Sequence, residues 1–121
     1  MKTSHDPRHL KRSAAMQELF TWQFNQSVEI TNPISGKVIK KVKSIDKEIK
    51  IAAPTWPLDE INPIDLSILR LAIFELIIDT TTPFKVVVDE AIELAKEFGS
   101  QTSPSFINGV LGHIISTHKI K

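Results

Sequence analysis

The segment at residues 68–78, ILRLAIFELII, is apolar on almost every side when it is drawn as a helix, and only Arg70 and Glu75 interrupt it. Because such a helix has no polar face to turn toward water, it is expected in the middle of a helical bundle. A charged side chain that faces inward there must be paired or hydrogen-bonded. We therefore expect a structural ion pair, and we favour Arg70 with Glu90 of the following helix.

The other segments also carry apolar residues at helical spacing, with caps and prolines at their ends. Asn62-Pro63 and Ser103-Pro104 each place a capping side chain before a proline, which suits the first turn of a helix. Five main helices are predicted, at residues 7–25, 37–52, 58–79, 83–98 and 103–118. The fold is therefore expected to be all-α, and a short strand at Val28 and Ile30 is the less favoured alternative for the connector.

The dipeptide Asn108-Gly109 is typical of a hairpin turn. Helical period nevertheless continues across it from Phe106 to Ile115, so a helix is favoured over a turn. Gly109 is then expected to mark a place where another helix approaches closely.

The 121 residues, of which 41% are hydrophobic, suffice for one compact domain that spans residues 1–121. The chain has no cysteine, which excludes disulfides, thiolate metal sites and thiol nucleophiles. It has neither the apolar core of a signal peptide near its start nor a run of about 20 apolar residues that would span a membrane. We therefore expect a cytoplasmic protein without a membrane partner.

Charge is divided unevenly along the chain, although the net charge is only +1. Residues 1–50 carry 10 Lys and Arg against 5 Asp and Glu, whereas residues 51–121 carry 5 against 9. Such a division is typical of a basic binding arm on an acidic body, and it is also common in proteins with one Lys-rich helix.

Residues 1–12 are the N-terminal arm, and they lead into the first predicted helix. At 100° per residue, Arg8, Lys11 and Arg12 continue the apolar line of that helix toward its N-terminus. The apolar line consists of Ala15, Leu19 and Trp22. If the apolar residues pack on a core, these basic residues are expected to project beyond its edge.

Four segments carry a resemblance to a known family. They are RSAAMQELFTW at residues 12–22, ILRLAIFEL at residues 68–76, PFKVVVDEAIELAKEFG at residues 83–99 and FINGVL at residues 106–111. Read together, they resemble the NusB family of bacterial transcription antitermination factors. The resemblance extends over about two thirds of the chain, and the last two segments are the most specific.

The resemblance implies an all-helical fold of two packed subbundles, without catalysis or a cofactor. It implies binding of boxA-type single-stranded RNA of ribosomal RNA leaders, together with NusE, which is also a small-subunit ribosomal protein. It further implies that the heterodimer joins the RNA polymerase antitermination complex. Whether two copies form a homodimer is left open.

The chain departs from the family pattern in three places. Family members usually carry a further helix where this chain has only residues 26–33, so one family helix is expected to be missing. The arm has scattered basic residues where the family often has an unbroken arginine run, and Ser105 replaces a common basic residue.

A helical protein-binding adaptor without RNA binding is therefore one alternative. A detached NusB-like domain of an RNA cytosine methyltransferase is another.

The candidate RNA contacts are basic and aromatic side chains. Clustered cations neutralise phosphates, and arginine and aromatic planes stack on bases. The candidates are Arg8, His9, Lys11, Arg12, Phe20 and Phe106, with burial in the core as the equal alternative for both phenylalanines. Lys37, Lys40, Lys41 and Lys43 would extend the basic track, although an ordinary solvated face is favoured for them. The histidines lack the spacing of metal ligands, so no metal site is expected.

Overall fold

The computed structural model describes residues 6–121, and this part of the chain is all-α, as the sequence predicts. Its helices are α1 (Pro7–Phe24), α2 (Pro33–Lys40), α3 (Val42–Ala52), α4 (Pro63–Ile73), α5 (Phe84–Phe98) and α6 (Ser103–Thr117). A 3₁₀ turn at Leu58–Glu60 precedes α4, and a π-helical turn at Phe74–Ile78 continues it. The residues described form no strand, so Val28 and Ile30 lie in an irregular connector.

Helix α4 is the centre of the bundle, because it packs against α1, α3, α5 and α6. All of residues 65–73 are buried, and Leu69 and Ile73 have no exposed surface. The start of α4 follows the predicted pattern, since the side chain of Asn62 accepts the backbone N–H of Ile64 at 2.8 Å and Pro63 occupies the first turn. The central position predicted for residues 68–78 is thus confirmed for residues 68–74 and Leu76, whereas Ile78 is exposed.

The segment predicted as one helix at residues 37–52 is two helices, which raises the number of α-helices in residues 6–121 from the predicted five to six. Helix α2 begins at Pro33, inside the region where a family helix was expected to be missing, and Asn32 caps it. The hydroxyl of Ser35 donates to the Ala15 carbonyl at 3.1 Å and holds α2 on α1, whereas α3 packs on α4 and α6. Both halves also contact α4, and the break between them lies at Lys41.

The close helix approach predicted at Gly109 was wrong. A Cβ atom built on Gly109 has no heavy atom within 4 Å, because Gly109 lies on the exposed side of α6. The tight glycine is Gly99, which ends α5. A Cβ atom there would lie 2.5 Å from Ser103 Oγ and 2.8 Å from the Ala95 carbonyl oxygen.

None of the helices described for residues 6–121 combines the length and the apolar composition that a membrane crossing requires.

Candidate nucleic-acid interface

The start of α1 is held to the bundle by a buried ion-pair network around Arg12. Arg12 Nε and Nη2 donate to the two carboxylate oxygens of Glu75 at 2.9 and 2.8 Å, and Arg12 Nη1 lies 3.5 Å from Glu90 Oε1. Only 11% of the Arg12 side chain and 3% of the Glu90 side chain are exposed. Glu75 belongs to the π-helical turn, which ends α4 next to α1 and α5. The two-pronged geometry is that of a strong, charge-assisted pair.

His9 extends this network on α5. Its Nδ1 lies 2.9 Å from Glu90 Oε2, and its Nε2 lies 3.1 Å from Glu97 Oε1. Since both ring nitrogens face carboxylates, both contacts are hydrogen bonds only when the imidazole is doubly protonated. The hydrogen bond with Glu90 raises the pKa of His9, and Glu97 adds to this effect against the opposing effect of burial. The geometry and the pKa shift both favour a charged His9.

The structure contradicts the expected projection of Arg12 beyond the core. His9 and Arg12 are both buried, at 5% and 9% exposure, and their charged groups face carboxylates. The predicted line of side chains is not continuous, because Arg8 and Lys11 are exposed whereas Arg12 and Ala15 are buried. In this structure His9 and Arg12 anchor α1, and Arg8 and Lys11 are the predicted RNA contacts that are exposed in the described part of the arm.

Arg8 and Lys11 are the exposed cations of the part of the arm that the structure describes. The Arg8 side chain is 80% exposed, with Nη2 3.5 Å from Asp6 Oδ2. Asp6 serves mainly as the N-cap of α1, because its Oδ1 accepts a hydrogen bond from the backbone N–H of Arg8 at 2.8 Å. That bond, together with the Arg8 side chain, lowers the pKa of Asp6. Residues 1–5 of the predicted arm lie outside the described residues.

The predicted ion pair between Arg70 and Glu90 was wrong in its partner. Arg70 donates from Nε and Nη2 to both carboxylate oxygens of Asp46 on α3, at 2.9 Å each. Its guanidinium also lies over the ring of Trp22, 5.7 Å from the centroid. The prediction that Arg70 needs a charged partner was correct. The partner is Asp46 because α3 packs against α4, whereas Glu90 lies against α1.

The two candidate phenylalanines, Phe20 and Phe106, are both half-buried. Neither is fully buried in the core, and neither exposes its whole ring for stacking on a base. Phe20 packs edge to face against Phe24, with ring centroids 5.1 Å apart. Phe24 is 67% exposed and was not singled out from the sequence. Phe106 lines an open cleft of about 300 Å³ between the starts of α4 and α6, and Trp56 and Asp65 also line this cleft.

Asp65 gives the Phe106 cleft a polar group. Only 5% of this residue is exposed, and its Oδ1 has no hydrogen-bond partner among the described residues. Burial raises the pKa of the Asp65 carboxyl, and a hydrogen bond from Ser103 partly offsets this effect. An acid in the first turn of a helix is usually explained by the helix dipole, so nothing in the sequence signalled a site here. The cleft combines aromatic side chains with a buried carboxyl group.

Residues 6–121 contain no group of three His, Asp or Glu side chains arranged to hold a metal ion. His118 is paired instead, with Nε2 2.8 Å from Glu48 Oε1.

Comparison with known proteins identifies relatives along most of the chain. Residues 25–116 match the model of the NusB family. The transcription antitermination protein NusB of Chloroflexus aggregans is 49% identical over 76 residues, which are 61% of this chain and 51% of that protein. The NusB protein of Lachnoclostridium phytofermentans is 37% identical over 119 residues, which are 94% of this chain and 87% of that protein. The chain spans about half the length of the Chloroflexus relative and 64% of the NusB protein of Dehalococcoides mccartyi strain CBDB1.

Solved structures share the fold. The NusB protein of T. maritima superposes with a TM-score of 0.83 at 28% identity, over 96% of this chain and 93% of that one. A chain from the crystal structure of antitermination factors NusB and NusE in complex with dsRNA superposes with a TM-score of 0.77. That match covers 93% of this chain and 99% of the other, and at 19% identity it supports the fold alone.

Proposed function

Because the chain belongs to the NusB family, we propose that it is a non-enzymatic transcription antitermination factor that binds boxA-type single-stranded RNA together with NusE. In this proposal the complex acts on RNA polymerase during ribosomal RNA transcription. The relatives carry the name of transcription antitermination proteins, and one structure with the same fold contains NusB and NusE in complex with dsRNA.

The observation that carries the proposal is the anchored start of α1. A buried network fixes the first two turns of this helix, and it leaves Arg8 and Lys11 exposed on a rigid element. Basic side chains near a helix N-terminus are opposed by the helix dipole, so folding alone gives no reason for them. Phosphate groups of RNA would supply one, because cations that neutralise phosphates release condensed counterions.

The cleft at Phe106 is the second proposed contact region. Unpaired bases of single-stranded RNA stack on aromatic side chains and form hydrogen bonds through their edges. Phe106 and Trp56 supply aromatic surface, and the buried Asp65 also lines the cleft. The cleft lies at the start of α6, which follows α5, the helix whose Glu97 contacts His9 of the arm.

Charge reversal of the two exposed cations tests the proposal. In a titration of boxA-type RNA, with and without NusE, Arg8→Glu with Lys11→Glu should lose most of the affinity. The slope of log affinity against log salt should fall by about 0.7 for each phosphate that the variant no longer neutralises. Lys85→Glu with Lys121→Glu is the matched control, because it reverses the same number of exposed charges elsewhere.

Binding of NusE should survive in both variants, on the expectation that NusE binds the helical body. If the arm variant binds RNA with the affinity and salt slope of the parent, the arm is only a solvated helix start. The burial of His9 and Arg12, which removes two of the four expected cations, would then favour the alternative function of a protein-binding adaptor without RNA binding.

A further inference from the structure

The outer side of α2 and α3 carries a dense group of lysines without compensating acids. Six lysines lie within residues 37–50, and all six are exposed. They are Lys37, Lys40, Lys41, Lys43, Lys47 and Lys50. Within residues 6–121 none of them forms an ion pair with a carboxylate, and the lysine ion pair found there joins Lys96 to Glu93 on α5. The group is therefore a strongly positive surface of the molecule.

Helical geometry sets three of these side chains in one row. Lys43, Lys47 and Lys50 have the spacing i, i+4, i+7, which places them on the same face of α3. At 1.5 Å per residue this lysine ridge is about 10 Å long. The opposite face carries Ile45 and Ile49, which are completely buried. Because the buried face fixes the rotation of α3, the ridge must point into solvent.

The acids of α3 do not neutralise the ridge, because each is paired with a cation of another helix. Asp46 binds the Arg70 guanidinium of α4 through two bonds of 2.9 Å. Glu48 binds His118, at the end of α6, at 2.8 Å. Helix α3 thus turns its carboxylates toward the bundle and its ammonium groups toward solvent. The positive charge of the ridge is not neutralised by any carboxylate of residues 6–121.

We propose that the lysine ridge binds the phosphodiester backbone of nucleotides that flank the boxA-type segment in the same RNA, independently of their sequence. The inference rests on the proposed function, because it takes RNA as the ligand. Lysine ammonium groups act as point charges on phosphates and do not read bases. The ridge carries no aromatic side chain for stacking, and Ile51 is the one large apolar residue exposed on α3, too little to anchor the helix in lipid.

The ridge is remote from the arm, so it serves nucleotides that the arm does not hold. Trp22 of α1 lies over Arg70, and Arg70 binds Asp46 of α3, which places α3 beside the C-terminal part of α1. Trp22 is about 20 Å along α1 from His9, where the arm is anchored. An RNA held at the arm must therefore extend well beyond that contact to reach Lys43, and the effect of the ridge must depend on RNA length.

Two RNAs and two sets of variants test this dependence by fluorescence anisotropy at several salt concentrations. One RNA contains only the boxA-type segment, and the other carries the same segment with unstructured extensions of shuffled sequence at both ends. The ridge variant is Lys43→Glu, Lys47→Glu and Lys50→Glu, with the three glutamine substitutions as a milder form. Lys85→Glu, Lys119→Glu and Lys121→Glu form the matched control, since these lysines are also exposed.

The ridge variant should bind the short RNA like the parent and the extended RNA at least tenfold more weakly. With the extended RNA its salt slope should fall by about two units if all three lysines contact phosphates. An unchanged affinity for the extended RNA overturns the inference, and so does an equal loss with both RNAs. Loss of binding to vesicles containing phosphatidylserine, with RNA binding intact, would assign the ridge to a membrane surface instead.

The same titration separates this inference from the function proposed above. If Arg8→Glu with Lys11→Glu leaves the short RNA unaffected while the ridge variant weakens the extended RNA, the arm fails as an RNA contact and the ridge stands. If the arm variant weakens both RNAs and the ridge variant neither, the arm stands and the ridge fails.

Discussion

Replacement of Arg12 by methionine should destabilise the protein through the carboxylates that it leaves behind. Methionine matches much of the length of the arginine side chain but removes its charge. Glu75 would lose two bonds of 2.8–2.9 Å, while Glu90 would keep His9 as a partner. Removal of one partner from a buried ion pair costs about 3–5 kcal/mol. Because 14% of the Glu75 side chain reaches solvent, we expect the lower end, about 3 kcal/mol.

Urea denaturation at neutral pH measures this change, with an unchanged m-value as evidence that unfolding remains two-state. The double variant Arg12→Met with Glu75→Gln should lose less free energy of unfolding than the two single variants together. Each single variant leaves one charged member of the pair without its partner, whereas the double variant leaves neither. Arg8→Met is the control, and its 80% exposed side chain should change stability by less than about 0.5 kcal/mol. A loss below about 1 kcal/mol for Arg12→Met would give the pair the value of a surface salt bridge and refute its role as an anchor.

Four further substitutions test the core, the two glycines at the end of α5 and in α6, and the histidine. Leu69→Ala should destabilise by about 2–5 kcal/mol in the same assay, since Leu69 is completely buried in α4, and a loss below about 1 kcal/mol would contradict its central position. Gly99→Ala should destabilise by about 1–3 kcal/mol, because its Cβ would lie 2.8 Å from the backbone oxygen of Ala95. Gly109→Ala, with open space around it, should instead stabilise α6 by about 0.5–1 kcal/mol, and equal effects at both glycines would refute the difference. Because the pKa of His9 is raised on folding, its protonated form contributes to the free energy of unfolding fully below the unfolded pKa of 6.5, and this contribution is lost as the pH rises through the folded pKa. The free energy of unfolding should therefore fall more steeply between these two pKa values for the parent than for His9→Gln.

Local signals were sufficient to predict an all-helical bundle and its centre. Residues 68–78 have no polar face, and a helix of that composition has few places to lie other than the middle of a bundle. The cap and the proline at Asn62-Pro63 marked the first turn of this helix, although the predicted range began at residue 58, where the structure has a separate 3₁₀ turn at Leu58–Glu60. The same signal was present at Asn32-Pro33, where it was interpreted as part of a connector because Ser35-Gly36 gave a second turn signal. The helix that begins there is only eight residues long. Short helices depend on tertiary packing more than on their own propensity.

Partners across the bundle could not be predicted in the same way. The sequence indicated that Arg70, Glu75 and Glu90 each needed a partner, but their choice depends on how α1 crosses α4 and α5 and on where α3 packs. Asp46 is an ordinary polar residue of an amphipathic helix until α3 lies against α4. The two glycines illustrate the same limit. Helical period did not indicate that Gly109 faces solvent, nor that the backbone at Gly99 turns against Ser103.

The burial of His9 and Arg12 changes how mutations in the arm must be interpreted. Reversing all of its cations together would break the network that holds α1 on α5, so a loss of RNA binding would follow from misplacement of the helix even if no arm residue contacted RNA. Arg8 and Lys11 lie outside the network, and their substitution removes charge while the helix stays in place. If the chain binds RNA through the arm as proposed, His9 and Arg12 are positioning residues: their substitution should reduce stability and RNA affinity together, whereas substitution of Arg8 and Lys11 should change affinity and salt slope alone.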